Sequence, residues 1–365
     1  MNILVTGADG FIGKNLCVKL AELGYDKITK FDRNNSLVDL TDALKTADFI
    51  FHLAGINRPL NDEEFKSGNV GLTEYITNTL LELERSVPLL LTSSIQADKD
   101  NAYGISKAAA EDNIYCYQQK SKAATYIYRL PNVFGKWCKP NYNSMVATFC
   151  YNTLNNLPII IHDPEAKVNL VYIDDVCEQF CRHLTENNIE PIVEPIYQQT
   201  VGSVAELLTE FKQSRETLVT ANVGTGFIRA LYSTYISYFE SENFSYTVPA
   251  YTDPRGSFCE MLKTPNAGQF SYFTAHPGIT RGGHYHHSKN EKFLVIKGTA
   301  NFRFQNILTH EKSELVVDAN EYRIVETVPG WTHDVTNIGS DELIVMLWAN
   351  EIFDREKPDT FAKPL

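Results

Sequence analysis

Ser94, Tyr103 and Lys107 lie close together in the segment LLTSSIQADKDNAYGISK, and their types suit proton transfer to a carbonyl. A tyrosine and a lysine four residues apart on one helix face the same side. A lysine so placed lowers a phenol from its ordinary pKa of about 10 towards neutrality, a difference worth roughly 4 kcal/mol. Tyr103 could then give a proton to a ketone oxygen while a hydride reaches its carbon, and Ser94, at the carboxyl end of a strand, would hold that oxygen. A solitary tyrosine and lysine would read as a packing ring and a solvated charge. Here they follow TGADGFIGKNL, whose glycines Gly7, Gly10 and Gly13 are spaced to cradle a phosphate. The first permits a tight turn, the second lets backbone approach a pyrophosphate, and the third brings helix and strand together. Asp32 ends the next strand where an acid would bind a ribose, and Arg33 follows it. The acid favours a free 2'-hydroxyl and the guanidinium a 2'-phosphate, so these residues leave NADH and NADPH both open.

Further along, GGHYHHSKNEKFLVIKG from Gly282 to Gly298 crowds metal-ligand types together, and PGWTHDVTN follows at Pro329 to Asn337. His284 and His286 alternate along a strand and point to one face; His287 would point to the other. Glu291 can return on the next strand and His333 can complete a mixed nitrogen and oxygen set. Imidazoles with one carboxylate suit Zn(II), Fe(II), Mn(II) or Ni(II), so the spacing alone does not choose the metal; the expected ion is a divalent one, zinc.

These residues need two kinds of support. Before about residue 170 the chain alternates strand-like runs (NILVT, KITKF, DFIFHLAG, PLLLTSS, ATYIYRL) with helical stretches, the rhythm of a doubly wound parallel sheet of Rossmann type. From about Leu170 to Tyr246 the pattern turns mainly helical; after Pro249 short alternating strands such as FLVIKG, NFRFQ and ELIVMLW are cut by turn residues, as in an all-β jelly roll. The expected fold class is therefore α/β followed by all-β, with domains at 1–245 and 246–365. A length of 365 residues agrees with two cores. A formal charge of -12 argues against a nucleic-acid partner, and the chain has neither a leader-like amino terminus nor an apolar run long enough for membrane insertion, which places it in the cytoplasm. Seven cysteines, without a C-x-x-C pair, read as reduced thiols (Cys17, Cys116, Cys138, Cys150, Cys177, Cys181 and Cys259).

The motifs TGADGFIGKNL, HLAG, TSS, YGISK and RLPNVFG occur in the order of the extended short-chain dehydrogenase/reductases that act on nucleotide sugars, which the first 245 residues resemble. The resemblance implies a dinucleotide held by Gly7, Gly10, Phe11, Ile12, Gly13, Asp32, Arg33, Leu53, Ala54 and Gly55 together with Tyr103 and Lys107, and a sugar nucleotide touched by Asn132. Two spacings depart from the family, Asp32 to HLAG and Ser94 to Tyr103, both of them short. The histidine segment resembles the cupin motifs, and DPRGSFCE with TRGGHYH looks like the sugar-nucleotide epimerase branch that inverts carbons beside a 4-keto group. In that branch a histidine acts as base without metal. His284 is thus base or ligand, Lys292, Tyr285 and Asp334 are further candidates for the base, and Arg255 and Arg281 could clamp a diphosphate.

Taken whole, the chain resembles the bifunctional capsular-polysaccharide enzymes that make UDP-2-acetamido-2,6-dideoxy-L-talose. That implies C3 epimerisation of a UDP-linked 4-keto-6-deoxy amino sugar by the cupin, C4 reduction with NADPH by the reductase, and a homo-oligomer, at least a dimer, built through the barrel. Apolar runs such as FLVIKG on barrel edges would favour such pairing. A C4 epimerase with tightly held NAD, a reductase with a purely structural cupin, and a non-catalytic sugar-binding protein are the alternatives.

Overall fold

The runs ILVT, ITKF, FIFH, LLLTSS and TYIYRL become strands β1 (Ile3–Thr6), β2 (Ile28–Phe31), β3 (Phe49–His52), β4 (Leu89–Ser94) and β5 (Thr125–Leu130) of one parallel sheet. β1, β3 and β4 are buried along their whole length, which is why they read as unbroken apolar runs rather than alternating ones. The computed structural model describes residues 1–59, 61–186, 188–253, 256–259, 262, 268–351 and 356–365, with backbone alone at 62, 250–253, 256–259, 269 and 271. By packing, the chain divides into Met1–Met145 with Lys167–Gln199, and Val146–Ala166 with Thr200–Leu365. Residue 245 falls inside the second unit.

In the first unit the strand order is β2-β1-β3-β4-β5. The chain leaves β1 to one side for β2 and returns to the other for β3, so a crevice opens above the carboxyl ends of β1 and β3, where ligands of such sheets bind. Helices α1 (Phe11–Glu22), α2 (Leu37–Thr46), α3 (Asp62–Phe65), α4 (Leu72–Glu82) and α5 (Ala102–Ser121) join the strands. Leu40 and Leu44 of α2, Ile76 and Leu80 of α4 and Ile114 and Tyr117 of α5 bury against Leu4, Ile50 and Leu89 of the sheet. Each such burial stabilises by about 1.5–3 kcal/mol. Asn101 caps α5, accepting from the Gly104 amide at 2.9 Å, and so fixes the turn that carries Tyr103.

After α6 (Met145–Leu154), which lies almost wholly in the second unit, the chain returns to the first. There β6 (Asn132–Phe134), β7 (Lys167–Tyr172) and β8 (Tyr197–Thr200) form a small sheet beside α7 (Ile173–Arg182), and of these strands β8 and the end of β7 fall in the stretch expected to be mainly helical. β8 is four residues long, too short for its alternation to stand out.

The second unit carries α8 (Val201–Thr217) and α9 (Gly226–Ile236), then β9 (Ser245–Thr247), β10 (Ala250–Asp253), β11 (Gly256–Cys259), β12 (Gln269–Ala275), β13 (Thr280–Tyr285), β14 (Glu291–Lys297), β15 (Thr299–Asn306), β16 (Lys312–Asp318), β17 (Arg323–Glu326), β18 (Trp331–Asn337), β19 (Leu343–Ala349) and β20 (Phe361–Ala362). They build the five-stranded sheets β12-β19-β14-β17-β9 and β16-β15-β18-β13-β20. Phe293 meets Phe302 across the two at 5.6 Å between ring centroids. Phe244, fully buried, packs edge-on against Phe304 and Trp331, which ties the segment after α9 to the barrel. FLVIKG is not an edge: β14 lies between β19 and β17, and its apolar character reflects burial on both faces over Glu291–Val295.

Candidate active site and candidate metal centre

At the crevice of the first unit, Gly7 adopts φ +69° directly after β1. A Cβ on Gly13 would stand 2.1 Å from the Gly7 carbonyl oxygen, so α1 can begin this close to the turn only with glycine there. Gly10 is the N-cap and offers no side chain to the first-turn amides around Phe11 and Ile12. That leaves a helix amino terminus free for an anion. The Asp32 carboxylate accepts from the Asp9 amide at 2.9 Å and steadies the turn from the end of β2; burial raises its pKa. Arg33 is exposed beside it. Leu53, Ala54 and Gly55 form the facing wall, with the Leu53 amide on the Thr6 carbonyl at 3.2 Å and the Ala54 amide on the Thr6 hydroxyl at 3.3 Å. These residues fit a dinucleotide.

Beneath them runs a fully satisfied chain of hydrogen bonds. The Thr73 hydroxyl donates to the Asn69 carbonyl at 2.7 Å, so it accepts from His52 Nε2 at 2.9 Å, and His52 Nδ1 is left to accept from the Thr6 hydroxyl at 2.7 Å. Burial, then the charge of Lys107, pushes His52 down to about 3, so this imidazole is neutral and structural. Asn69 sits in a π-helical turn, Lys66–Gly71, between α3 and α4. Its side chain accepts from the Ile56 amide at 2.7 Å and donates to the Ile56 carbonyl at 3.1 Å and to Ser106 Oγ at 3.0 Å; Ser106 in turn donates to the Tyr103 carbonyl. A π turn is a frequent companion of functional sites. The sequence reasoning missed Asn69, for which KSGNVG held only a weak signal, glycines inside a helical stretch.

Ser94 ends β4, and Tyr103 and Lys107 rise from the first turns of α5. The structure brings the three together. Lys107 is buried, donates from Nζ to the Thr92 carbonyl at 3.1 Å, and lies 5.9 Å from the centroid of the Tyr103 ring. Burial lowers its pKa to about 8, opposed by Glu111 one turn on. The Tyr103 hydroxyl donates to Asn57 Oδ1 at 3.2 Å. The lowered phenol expected of Tyr103 is not what the packing gives: burial raises it, opposed by a hydrogen bond with Ser94, and Lys107 makes its hydrogen bond to the Thr92 carbonyl. Glu111, also missed, is buried and receives both Ser93 Oγ and a bidentate Arg129 at 2.7–3.1 Å, while Arg129 spans to Asp98 at 2.6 Å. It fixes the residue before Ser94 and the helix face of Lys107 at once. Asn132, exposed on β6, donates to the Asn169 carbonyl at 3.2 Å.

In the second unit His284, His286, Glu291 and His333 each offer a ligand atom within 4.8 Å of the others. The register of β13 shifts between Gly282 and His284, where Gly282 and Gly283 both have positive φ, and the bulge sets His284 opposite His333. Glu291 Oε2 lies 3.3 Å from His286 Nε2 and 3.4 Å from His333 Nε2, and Lys289 Nζ caps Oε1 at 3.0 Å. Burial, then His333 and His286, pushes His284 down to about 3; burial also lowers His333. Burial alone would raise Glu291, but His286 and His333 hold it well below the ordinary carboxylate range. His333 is buried, with Nε2 turned to the Glu291 carboxylate. Imidazoles of which His284 and His333 are held neutral, gathered with a buried ionised carboxylate whose ligand atoms lie within 4.8 Å of theirs, fit a divalent cation. His287 lies outside this group, edge-on to Phe361.

Lys292 does not join the cluster. Following Glu291 on β14 it faces the other way, where its Nζ meets Glu326 at 2.7 Å and the Tyr246 hydroxyl at 3.0 Å. Burial would depress it, yet Glu326 holds the ammonium well above its ordinary pKa, in a buried ion pair rather than beside the histidines. Asp334 is taken by Arg303 at 2.9 Å, and Tyr285 stacks on Phe361. Arg281 is exposed over the Phe273 ring at 5.6 Å, and Arg255 lies outside the described residues.

Residues 3–194, more than half of the chain, match the NAD dependent epimerase/dehydratase family. The chain belongs to that family. Residues 251–361 match the polysaccharide biosynthesis C-terminal domain. Across its length the chain is 55% identical to a UDP-2-acetamido-2,6-beta-L-arabino-hexul-4-ose reductase of Pseudomonas aeruginosa, spanning 99% of this chain and 98% of that one. Its fold is similar to that of the capsular polysaccharide assembling protein CapF from Staphylococcus aureus, 42% identical over 100% of both chains with a TM-score of 0.69. UDP-glucuronic acid 4-epimerase from Bacillus cereus shares the fold alone, at 18% identity and a TM-score of 0.50, over 57% of this chain and 83% of its own. A Rossmann-like family domain is thus followed by an all-β domain of cupin type.

Proposed function

We propose that this chain is a bifunctional nucleotide-sugar enzyme in which residues 246–365 epimerise C3 of a UDP-linked 2-acetamido-2,6-dideoxy-4-hexulose and residues 1–245 reduce its C4 ketone with NADPH. The product is UDP-2-acetamido-2,6-dideoxy-L-talose, a precursor of N-acetyl-L-fucosamine in capsule synthesis. The observation that carries this reading is the gathering of Ser94, Tyr103 and Lys107 beside the glycine turn and its anion-ready helix end. The full-length reductase relative supports the substrate class.

NADPH, when bound, supplies the hydride. Tyr103 then gives its phenolic proton to the C4 oxygen and Ser94 holds that oxygen in place. Lys107, with one ammonium proton on the Thr92 carbonyl, keeps two for the cofactor side and the phenolate. Asn132, Arg255 and Arg281 are assigned to the sugar nucleotide. Chemistry sets the order of steps: the C3 proton is acidic only while C4 is a ketone, so epimerisation comes first. His284, the half-buried member of its cluster, is the residue open to a sugar there. A divalent cation, zinc for this donor set, would be held by His284, His286, Glu291 and His333 and would supply positive charge against an enolate. The burial of three of these four donors favours a second reading, in which the cation ties strands together and His284 alone is the base.

No helix among the described residues is long and apolar enough to cross a membrane, and we place the enzyme in the cytoplasm. We also assign it a homodimer through the barrel, on the exposed apolar face of Phe270, Tyr272, Ile296, Ile344 and Met346.

The experiment is incubation with the UDP-linked 4-keto sugar in D2O, with and without NADPH, followed by NMR at C3. Deuterium should enter C3 without NADPH, and the C4 alcohol should form only with it. Reduction without exchange removes the epimerase; isomerisation at C4 without NADPH consumption favours the NAD-dependent C4 epimerase.

A further inference from the structure

The loop from His286 to Asn290 brings two of the four cluster ligands, His286 and the adjoining Glu291, yet it forms neither helix nor strand. Ser288, Lys289 and Asn290 are nonetheless buried. A buried loop must have its amides satisfied, and one residue far along the chain does most of this. The Asp359 carboxylate accepts from the amides of His287 at 2.9 Å, Ser288 at 2.6 Å and Lys289 at 2.6 Å, and from the Ser288 hydroxyl at 3.0 Å. The Asp359 carbonyl lies 2.5 Å from His286 Nδ1. A carbonyl only accepts, so Nδ1 donates to it, and Nε2 is the nitrogen turned to the cluster, 3.3 Å from Glu291 Oε2. Two residues on, β20 pairs with β13 and holds the strand beside it in register. Arg229 of α9 reaches Ser288 Oγ and Glu351, and its nitrogen stays 3.9 Å from Asp359, so the loop amides, not Arg229, make the hydrogen bonds to this carboxylate.

We propose that Asp359 is a positioning residue for the cation site: its carbonyl sets the tautomer of His286 and its carboxylate holds the loop at the distance that aims this imidazole. The inference rests on the reading that the cluster binds a divalent cation. Outer partners of metal-bound histidines typically contribute about 10- to 100-fold to metal affinity, although they never touch the metal.

The test is zinc affinity of the full chain, measured by competition with a fluorescent chelator, beside melting temperatures with and without zinc. Asp359→Ala should bind zinc about 10- to 100-fold more weakly than the wild type, with a smaller gap between the two melting temperatures. Asp359→Asn, which keeps one oxygen for the loop amides, should fall between them and serves where the alanine variant does not fold. Val345→Ala removes volume from the barrel core at a fully buried site and should lower both melting temperatures while zinc affinity stays at the wild-type value. Zinc affinity unchanged in both Asp359 variants overturns the inference and leaves the cation reading standing, as does an equal loss in Val345→Ala. A wild-type chain that binds no zinc overturns the cation reading itself, and the inference with it.

Discussion

Lys292 gives the sharpest test, because a strand-adjacent lysine was a reasonable base and the structure makes it a strut. Its partner Glu326 has a side chain only 7% exposed and answers two cations, Lys292 at 2.7 Å and Arg215 of α8. Glu326→Gln leaves both cations under cover, facing an amide. Breaking a buried pair from one side costs about 3–5 kcal/mol. For a unit of roughly 150–250 residues each kcal/mol moves Tm by about 2–4 °C, so the barrel transition should fall by about 6–20 °C. Lys292→Met keeps the Arg215–Glu326 pair and replaces the ammonium with an apolar chain of similar length, so its cost should be smaller, about 0.5–3 kcal/mol. Burial would raise the Glu326 pKa, but Arg215 and Lys292 hold it below 4.5. Its contribution is therefore present above that value and lost as pH falls through the lowered one, and the Gln variant should show a flatter acid limb. Calorimetry gives the ranking; deuterium exchange at C3, run well below both transitions, gives the chemistry. Exchange that vanishes in a fully folded Lys292→Met protein would refute the structural assignment and restore the lysine as base.

Tyr103→Phe should lower NADPH-dependent reduction by about 10²- to 10⁴-fold while C3 exchange persists; equal loss of both would point to one shared site. Glu111→Gln removes the charge that opposes the burial of Lys107, whose pKa stands at about 8. Since the protonated lysine serves reduction, activity falls as pH rises through that value, and the variant's alkaline limb should begin at lower pH; an unmoved limb would reduce Glu111 to scaffolding. Arg33→Ala should narrow the preference for NADPH over NADH in kcat/KM, and a wild type that favours NADH would reverse the cofactor assignment. Chelation should abolish C3 exchange in a barrel that stays folded if the cation serves the enolate, and lower Tm first if it ties strands.

Much of this was legible because periodicity and chemistry coincided. The strands of the first sheet are buried on both faces, so their apolar runs stood out, and the glycine turn, Tyr103 with Lys107, and the four cluster residues each carried a spacing that geometry reproduces. The failures share a cause: partners far apart in sequence. Nothing near Lys292 announces Glu326 or Arg215, and nothing near His286 announces Asp359, 73 positions away. Glu111 was closer to view, standing four residues after Lys107 on one helix face. FLVIKG misled because an apolar strand reads the same at an edge and in the middle; only the pairing order separates them.

The way the two packed units interleave along the chain bears on how the activities can be separated by gene dissection. A fragment cut after residue 245 would carry Val146–Ala166 and the stretch from Thr200 onward without the barrel they belong to. Phe244 would lose Phe304 and Trp331, and Arg215 would lose Glu326. Such a fragment would come off the ribosome with sticky orphan helices and a tendency to precipitate, however sound its nucleotide site. During synthesis the same residues must wait as passengers until the barrel strands emerge, which makes this a chain better studied by inactivating one site at a time than by scissors.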